Sequence, residues 1–204
     1  IHACIGRGGF GEVYSATVHD GQAEHAVAVK ILHADLDPRS NAVQRLRDES
    51  RMLRVLDHPH ILKAQELAVL ENRVALVTEF VEGEDLAVVA KKQGMPLAPA
   101  LEVVSAVADA LHMAQTHEHD GQSLDLVHRD IKPENIRIGH QGEVCLLDFG
   151  VARSEGIERE AKTATDLVMG SMFYLAPELL AGANANHASD VYALGATLFY
   201  AITG

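Results

Sequence analysis

The sequence predicts an α+β fold in two parts, and three observations carry that prediction. Short β-prone runs broken by turn residues fill the first third of the chain. One amphipathic helical stripe interrupts them, and from Glu82 onward the apolar residues recur mainly at helical spacing. Strands first and helices afterwards is the order of an α+β protein, not of an alternating α/β one.

Cys4-Ile5 and Val13 to Val18 flank the glycine run Gly6 to Gly11, and Asp20-Gly21 signals a turn into a further strand, Ala26 to Leu32. A helix is expected from about Ser40 to Leu56, with Val43, Leu46, Ser50, Leu53 and Leu56 on its buried stripe, and His58-Pro59 stops it. Strands near Leu62 to Leu70 and Arg73 to Phe80 follow, joined by a Glu71-Asn72 turn. Glu82 to Asp85 reads as a flexible joint, which divides the chain into 1–81 and 82–204. Beyond it come a short helix from Asp85 to Gln93 ending at Gly94, and a longer one with Pro99 in its first turn. Leu101, Val104, Ala108 and Leu111 form the expected apolar stripe of that longer helix. The last segment, Asp190 to Thr203, is apolar almost all round and reads as a helix buried on every side in a complete protein.

With 204 residues, 48% of them apolar, the chain is long and apolar enough for a sizeable core and is no disordered polymer. No stretch reads as long and apolar enough to span a bilayer, and the start does not read as a signal peptide. A formal net charge of −12 argues against nucleic acid or an anionic membrane as the main partner. The two cysteines, Cys4 and Cys145, form no CxxC pattern; Cys145 in its apolar run reads as a small buried hydrophobe, and a reducing cytoplasmic setting fits. Among 12 histidines, His112, His117 and His119 could gather, but they straddle a helix end and a polar loop, so a metal site there is not expected.

The chemistry sits in His128-Arg129-Asp130-Ile131-Lys132-Pro133-Glu134-Asn135, followed after an apolar run by Asp148-Phe149-Gly150. These supply a carboxylate beside a nucleophile, an ammonium near phosphate and two oxygen ligands for magnesium, the equipment for moving a phosphoryl group from a nucleotide to a hydroxyl. The glycine run alone would also fit a dinucleotide loop that opens a helix. Here Gly11 is followed by Glu12-Val13-Tyr14, so the loop joins two strands and can fold over a nucleotide, its glycines letting backbone N–H groups approach phosphate.

In these motifs the chain resembles a eukaryotic-type serine/threonine protein kinase domain of the bacterial kind, and the resemblance runs from its first residues to its last. The resemblance implies a bilobal fold, with 1–81 as small lobe and hinge and 82–204 as a large lobe lacking its last helices, in a natural protein longer than this chain. One of those helices would bring an arginine to Glu178. It implies ATP and Mg2+ bound in the cleft. Asp130 would orient the attacking hydroxyl and Lys132 would stabilise the transferring phosphoryl group. Asn135 and Asp148 would hold magnesium, while Lys30, held by Glu49, would contact the α- and β-phosphates. Gly6, Gly8 and Gly11 would cover the phosphates; Ile5, Val13 and Ala28 would roof the purine, with Thr78 as gatekeeper and the Glu79 carbonyl and Val81 N–H pairing with adenine. Arg137 departs from the family, standing where an aliphatic floor is usual, and its methylene stem would cover the ring. His128 and Phe149, with Leu53, match an apolar stack that aligns the lobes.

The long segment from Asp148 to Ala176-Pro177-Glu178 reads as regulatory, and the resemblance implies Thr163 and Thr165 as phosphorylation sites with Arg129 as their partner. Ser171 favours serine/threonine over tyrosine substrates, and Glu134 a basic residue before the target hydroxyl. Protein substrates bearing Ser/Thr are the expected partners, with a homodimer for autophosphorylation and no nucleic acid. The expected location is cytoplasmic; the polar insertion Glu118 to Leu124 resembles bacterial kinases of this class, many of which continue into a membrane segment, so the resemblance allows for an anchor in a segment outside this chain. A nucleotide-sensing pseudokinase and a small-molecule kinase of similar fold are the rival readings. The first would lack Lys30, Asp130 or Asp148 equivalents, and the second the Ala-Pro-Glu end.

Overall fold

The computed structural model describes residues 1–8, 11–21, 23–33, 41–119, 121–149 and 172–204. These fall into two units, Ile1–Asp57 with Leu62–Val81 and His58–Ile61 with Glu82–Gly204.

Strand alternation builds the first unit. β1 (Cys4–Gly8), β2 (Gly11–Asp20), β3 (Ala23–Leu32), β4 (Ala64–Leu70) and β5 (Arg73–Glu79) form one antiparallel sheet in the order β1-β2-β3-β5-β4. One face buries Ala16, Val27, Val29, Ile31, Ala75 and Val77, with Tyr14 packed against them. Helix α1 (Asn41–Val55) packs on β4 and β5. The stripe read from its periodicity is the buried one: Val43, Leu46, Ser50 and Leu53 are inside, and Leu56 just beyond. Glu71 and Asn72 both take left-handed φ, 47° and 65°, between the paired Leu70 and Arg73. That is the backbone of a two-residue hairpin whose twist matches the flanking strands.

The second unit opens with β6 (Gly83–Asp85) and α2 (Leu86–Val89). The long helix α3 (Leu97–Thr116) leads to a small hairpin, β7 (Glu118–His119) and β8 (Gln122–Ser123). A 3₁₀ turn at Pro133–Asn135 enters β9 (Ile136–Gly139), which pairs with β10 (Val144–Leu146) on one side and β6 on the other. Helices α4 (Pro177–Leu180) and α5 (His187–Thr203) complete it, and α3 packs against α5 and β10.

Two expectations for α3, and the start of α5, are corrected here. α3 buries Ala100, Val103, Val107, Ala110 and Ala114, one position away from the expected stripe; Leu101 is exposed. The helix is apolar on several faces, so its period alone does not say which one packs, and small alanines let α5 and β10 approach closely. α3 is also, by length and composition, apolar enough to cross a membrane, with 20 residues and a mean hydropathy of 1.3. Glu102 and Asp109 break its apolar run in the linear sequence, and its packing against α5 and β10 already uses its buried face. In α5, Leu194 is buried, whereas Phe199 is 71% and Val191 66% exposed. α5 begins at His187 because Asn186 caps it: its Oδ1 accepts from Ser189 N–H at 3.1 Å while Ser189 Oγ accepts in return from Asn186 N–H at 3.0 Å. Cys145 is buried as read from the sequence.

The turn after α2 sets the far end of α5. Gly94 has φ +67°, and a Cβ there would overlap the Ile202 carbonyl. Next to it, Met95 N–H donates to the Ala201 carbonyl at 2.6 Å. Gly94→Ala is expected to destabilise the chain by roughly 1–3 kcal/mol through overpacking and a disfavoured φ. Urea unfolding of the two proteins measures it; an unchanged midpoint would contradict this account.

Candidate active site

In the first unit, strand register gathers the nucleotide candidates. Ala28 lies opposite Ser15 and Thr78, and Lys30 opposite Val13 and Leu76. Since side chains alternate along a strand, Val13, Ala28, Lys30, Leu76 and Thr78 share the sheet face opposite the Val27-Val29-Ile31 core. Lys30 is half-buried on that face. Glu49 stands on α1, which packs on the same sheet, and its side chain lies outside the described residues. At the end of β5, Glu79 N–H donates to the Lys63 carbonyl at 3.0 Å and Lys63 N–H donates to Glu79 Oε1 at 2.9 Å. Thr78 Oγ1 donates to the Glu79 carbonyl at 3.1 Å.

The glycine loop is a β hairpin, as its residues suggest: Gly6 pairs with Val13 and Gly8 with Gly11, and residues 9–10 at its tip lie outside the described part. Gly11 has a second reason to be glycine. A Cβ there would overlap the Ile31 carbonyl on β3, so its lack of side chain serves strand packing before any phosphate. Ile5 is 49% exposed.

In the second unit the candidate catalytic stretch is held by one buried carboxylate. Asp190, in the first turn of α5, accepts from His128 N–H at 2.6 Å and from Arg129 N–H at 2.9 Å. It is 4% exposed, and the helix N-terminus adds further favourable field for its charge. The sequence reading took Asp190 only as the start of a helix; an acid heading an otherwise apolar helix was the signal it passed over. Arg129 takes φ 70°, a left-handed turn that delivers Asp130. Asp130 Oδ2 receives both Lys132 Nζ at 3.0 Å and Asn135 Nδ2 at 3.0 Å. Asn135 Nδ2 also donates to the Asp130 carbonyl at 2.8 Å. With the amide nitrogen used twice, Asn135 Oδ1 is the atom left to face a cation. Leu147 N–H donates to the Asn135 carbonyl at 2.8 Å, which sets Asp148 beside Asn135. Asp148 itself is half-buried with φ 42°.

An amide oxygen and a carboxylate are hard oxygen donors of the kind that suits Mg2+, which keeps several waters and needs few protein ligands. Among the described residues no three His, Cys, Asp or Glu side chains cluster as a metal cage, so His112, His117 and His119 are not brought together as one.

His128 is completely buried, its ring 4.7 Å from that of Phe149. Its Nε2 faces the Leu147 carbonyl at 3.0 Å and its Nδ1 accepts from Asp130 N–H at 3.3 Å. The neutral Nε2–H tautomer satisfies both contacts, whereas a second proton would face an N–H. Burial pushes its pKa below the usual 6.5, outweighing Asp190 and the Leu147 bond. Tyr174 lies further on, where burial and then the charge of Glu134 push its phenol up to about 12, so it stays a neutral donor.

Arg137 does not extend unpartnered as a floor. Its Nη1 donates to Asp85 Oδ1 at 2.8 Å, across the β6–β9 pairing that sets the two residues opposite each other. Arg129 Nε is buried without a hydrogen-bond partner among the described residues. Thr163, Thr165 and Ser171 lie outside the described residues.

The lowered His128 pKa makes stability depend on pH. Below about 6.5 the unfolded chain takes a proton that the folded chain refuses, so stability is lost as pH falls through that value. Unfolding measured at pH 7.5 and 5.5 should show a loss of up to roughly 1.4 kcal/mol per pH unit that is absent in His128→Phe. Equal pH slopes in the two proteins would contradict this assignment.

The chain is similar to known proteins over nearly its whole length. The family description "Protein kinase domain" matches residues 1–204. The serine/threonine-protein kinase PknK of Mycobacterium tuberculosis is 40% identical over 202 residues, covering 98% of this chain and 17% of PknK. PrkC of Bacillus subtilis, also named a serine/threonine-protein kinase, is 38% identical over 98% of the chain and 29% of its own length. MasK of Myxococcus xanthus, named a tyrosine-protein kinase, is 34% identical over 98% of the chain and 32% of its own. The chain thus spans about a third or less of these relatives. The crystal structure of the Mycobacterium tuberculosis PknI kinase domain matches with a TM-score of 0.69 at 26% identity, covering 98% of this chain and 71% of that one. The fold agrees with that structure, and with the family match over its whole length the chain belongs to the protein kinase family.

Proposed function

We propose that this chain is the catalytic domain of an ATP-dependent protein serine/threonine kinase, with Mg2+ as its metal. The observation that carries the reading is the convergence of Lys132 and Asn135 on Asp130 Oδ2 within a loop gripped by Asp190. Asp130 positions the substrate hydroxyl and takes its proton as the bond to phosphorus forms. Lys132, beside it, offsets charge on the transferring group. Asn135 Oδ1 and the Asp148 carboxylate would hold the cation, which would supply positive charge to offset that of the phosphates. Lys30, steadied by Glu49, anchors the α- and β-phosphates, and Gly6, Gly8 and Gly11 leave room for them. Ile5, Val13 and Ala28 cover the purine, whose edge pairs with the Glu79 carbonyl and Val81 N–H.

Serine/threonine specificity is supported by PknK and PrkC among the relatives and by Ser171; the name of MasK favours tyrosine as a second reading. Phosphoamino-acid analysis of a generic protein substrate separates them, and phosphotyrosine alone would overturn the first. Asp130→Asn and Asp148→Ala should each lower phosphotransfer by at least about 10²–10⁴-fold while thermal unfolding stays cooperative. Asp148→Ala should also weaken Mg2+-dependent nucleotide binding in calorimetry. Wild-type rates in either variant would sink the kinase assignment.

Arg129 supports a regulatory reading. Its backbone is fixed by Asp190 while its buried Nε has no partner among the described residues, the state of a cation suited to an arriving anion. Phosphate on Thr163 or Thr165, added by a second copy, is the proposed anion. Phosphopeptide mapping should find it, and the Thr163→Ala, Thr165→Ala double variant should lose activity. A double variant as active as its parent would remove this switch.

A further inference from the structure

The candidate catalytic stretch hangs between two helix ends. Leu124 N–H donates to the His117 carbonyl at 2.9 Å and Leu126 N–H to the Ala114 carbonyl at 3.2 Å, which moors the chain to the C-terminal end of α3. A few residues on, the Asp190 carboxylate moors the His128 and Arg129 N–H groups to the first turn of α5. Only Val127 lies between the two moorings. The separation of the helix ends therefore sets the path by which the backbone reaches Asp130.

One side-chain contact ties those ends to each other. Asp125, between the two moored leucines, places Oδ1 2.7 Å from Nε2 of His187, the first residue of α5. An ionised carboxylate only accepts, so Nε2 carries the proton. Asp125 has φ 44°, a left-handed backbone that costs an L residue energy. A turn that needs only such a backbone is made by glycine four residues earlier, where Gly121 has φ 75° and open space around it. At Asp125 a side chain is kept despite that cost, and its carboxylate holds His187. The two side chains are 75% and 29% exposed, so water screens the contact. Its effect comes from where it acts more than from its strength.

We propose that Asp125 and His187 are positioning residues for phosphoryl transfer: their contact fixes the end of α3 against the start of α5 and so holds Asp130 in its reactive orientation. They act on Asp130 through the Leu126 and Asp190 moorings. The catalytic consequence rests on the kinase reading, whereas the clamp on the backbone does not, so the two can fail separately.

The test uses Asp125→Gly, which keeps the left-handed turn and loses the carboxylate, His187→Ala, their combination, and Asp125→Asn, which keeps an oxygen for His187. A contact this exposed can bias the loop by about three- to tenfold, so kcat should fall by that factor in Asp125→Gly and in His187→Ala, with KM for ATP and for a peptide substrate unchanged. The double variant should fall no further than either single one, and Asp125→Asn should keep most of the parental rate. Hydrogen exchange at the His128 and Arg129 amides, measured without nucleotide, should quicken by a similar factor in Asp125→Gly while amides in the middle of α3 keep their rates. Losses that multiply in the double variant, an Asp125→Asn as slow as Asp125→Gly, or unchanged exchange at His128 and Arg129 overturns the proposal. So does a lowered thermal midpoint with kcat intact, which would leave the pair a merely structural contact. The expected exchange pattern in a parent chain without phosphotransfer would uphold the clamp and fell the kinase reading instead.

Discussion

The Asp190 carboxylate is the constraint on which the catalytic unit depends. It is nearly sealed from water, yet it carries charge, and a buried charge is tolerable only when hydrogen-bonded. The two backbone N–H groups of His128 and Arg129 meet that need, at 2.6 and 2.9 Å. Those same groups would otherwise be orphaned, because Arg129 leaves the extended conformation and has no strand partner. From there the order propagates through hydrogen bonds. His128 reaches Leu147, Leu147 returns to Asn135, and Asn135 fixes Asp130. A carboxylate heading α5 thereby sets the conformation of a loop some sixty residues earlier in the chain.

The first unit solves a different problem with strand alternation. Each strand has two faces, and the period of two forces residues that neighbour each other in sequence onto opposite sides. Val27, Val29 and Ile31 go to the hydrophobic core, so Ala28 and Lys30 must go to the other face. The apolar run that looks uniform in the sequence is thus split into a structural half and a chemical half. A slip of register by one residue would exchange them, which is why the core residues also guard the position of Lys30.

How much of this was legible in the sequence follows from how local each signal is. The α1 stripe was readable because its other face is charged, so only one side could be buried. The α3 stripe was not, because apolar residues occur on most of its faces and the packing partners, α5 and β10, decide which is used. The residues from His128 to Asn135 and at Asp148 announce themselves through side-chain chemistry in a fixed spacing. Asp190 does not, since its role is to accept from two backbone groups far away in sequence. Gly11 was legible as a loop glycine, but its clash with the Ile31 carbonyl depends on the β2–β3 register. Asn186 and Ser189 form a capping box that begins α5 three residues before the expected start, a local signal that the apolar run obscured.

The Asp85–Arg137 pair shows how a charge on a short strand is accommodated. Arginine on a strand of the second unit brings a charge and five donors to a position whose neighbours are half-buried, and a lone charge there would be costly. β6 places Asp85 directly opposite Arg137 on β9, and the 2.8 Å contact pairs the guanidinium with a carboxylate within the sheet. Both side chains remain about a quarter to a third exposed, so water screens the pair and its direct contribution to stability is small. Its consequence is directional. A guanidinium fixed to Asp85 cannot swing freely, so its methylene stem has a set orientation, and Asp85 is engaged with protein. Any ligand group that would bond Asp85 must compete with Arg137 for it, and the outcome depends on the strand pairing that set them face to face.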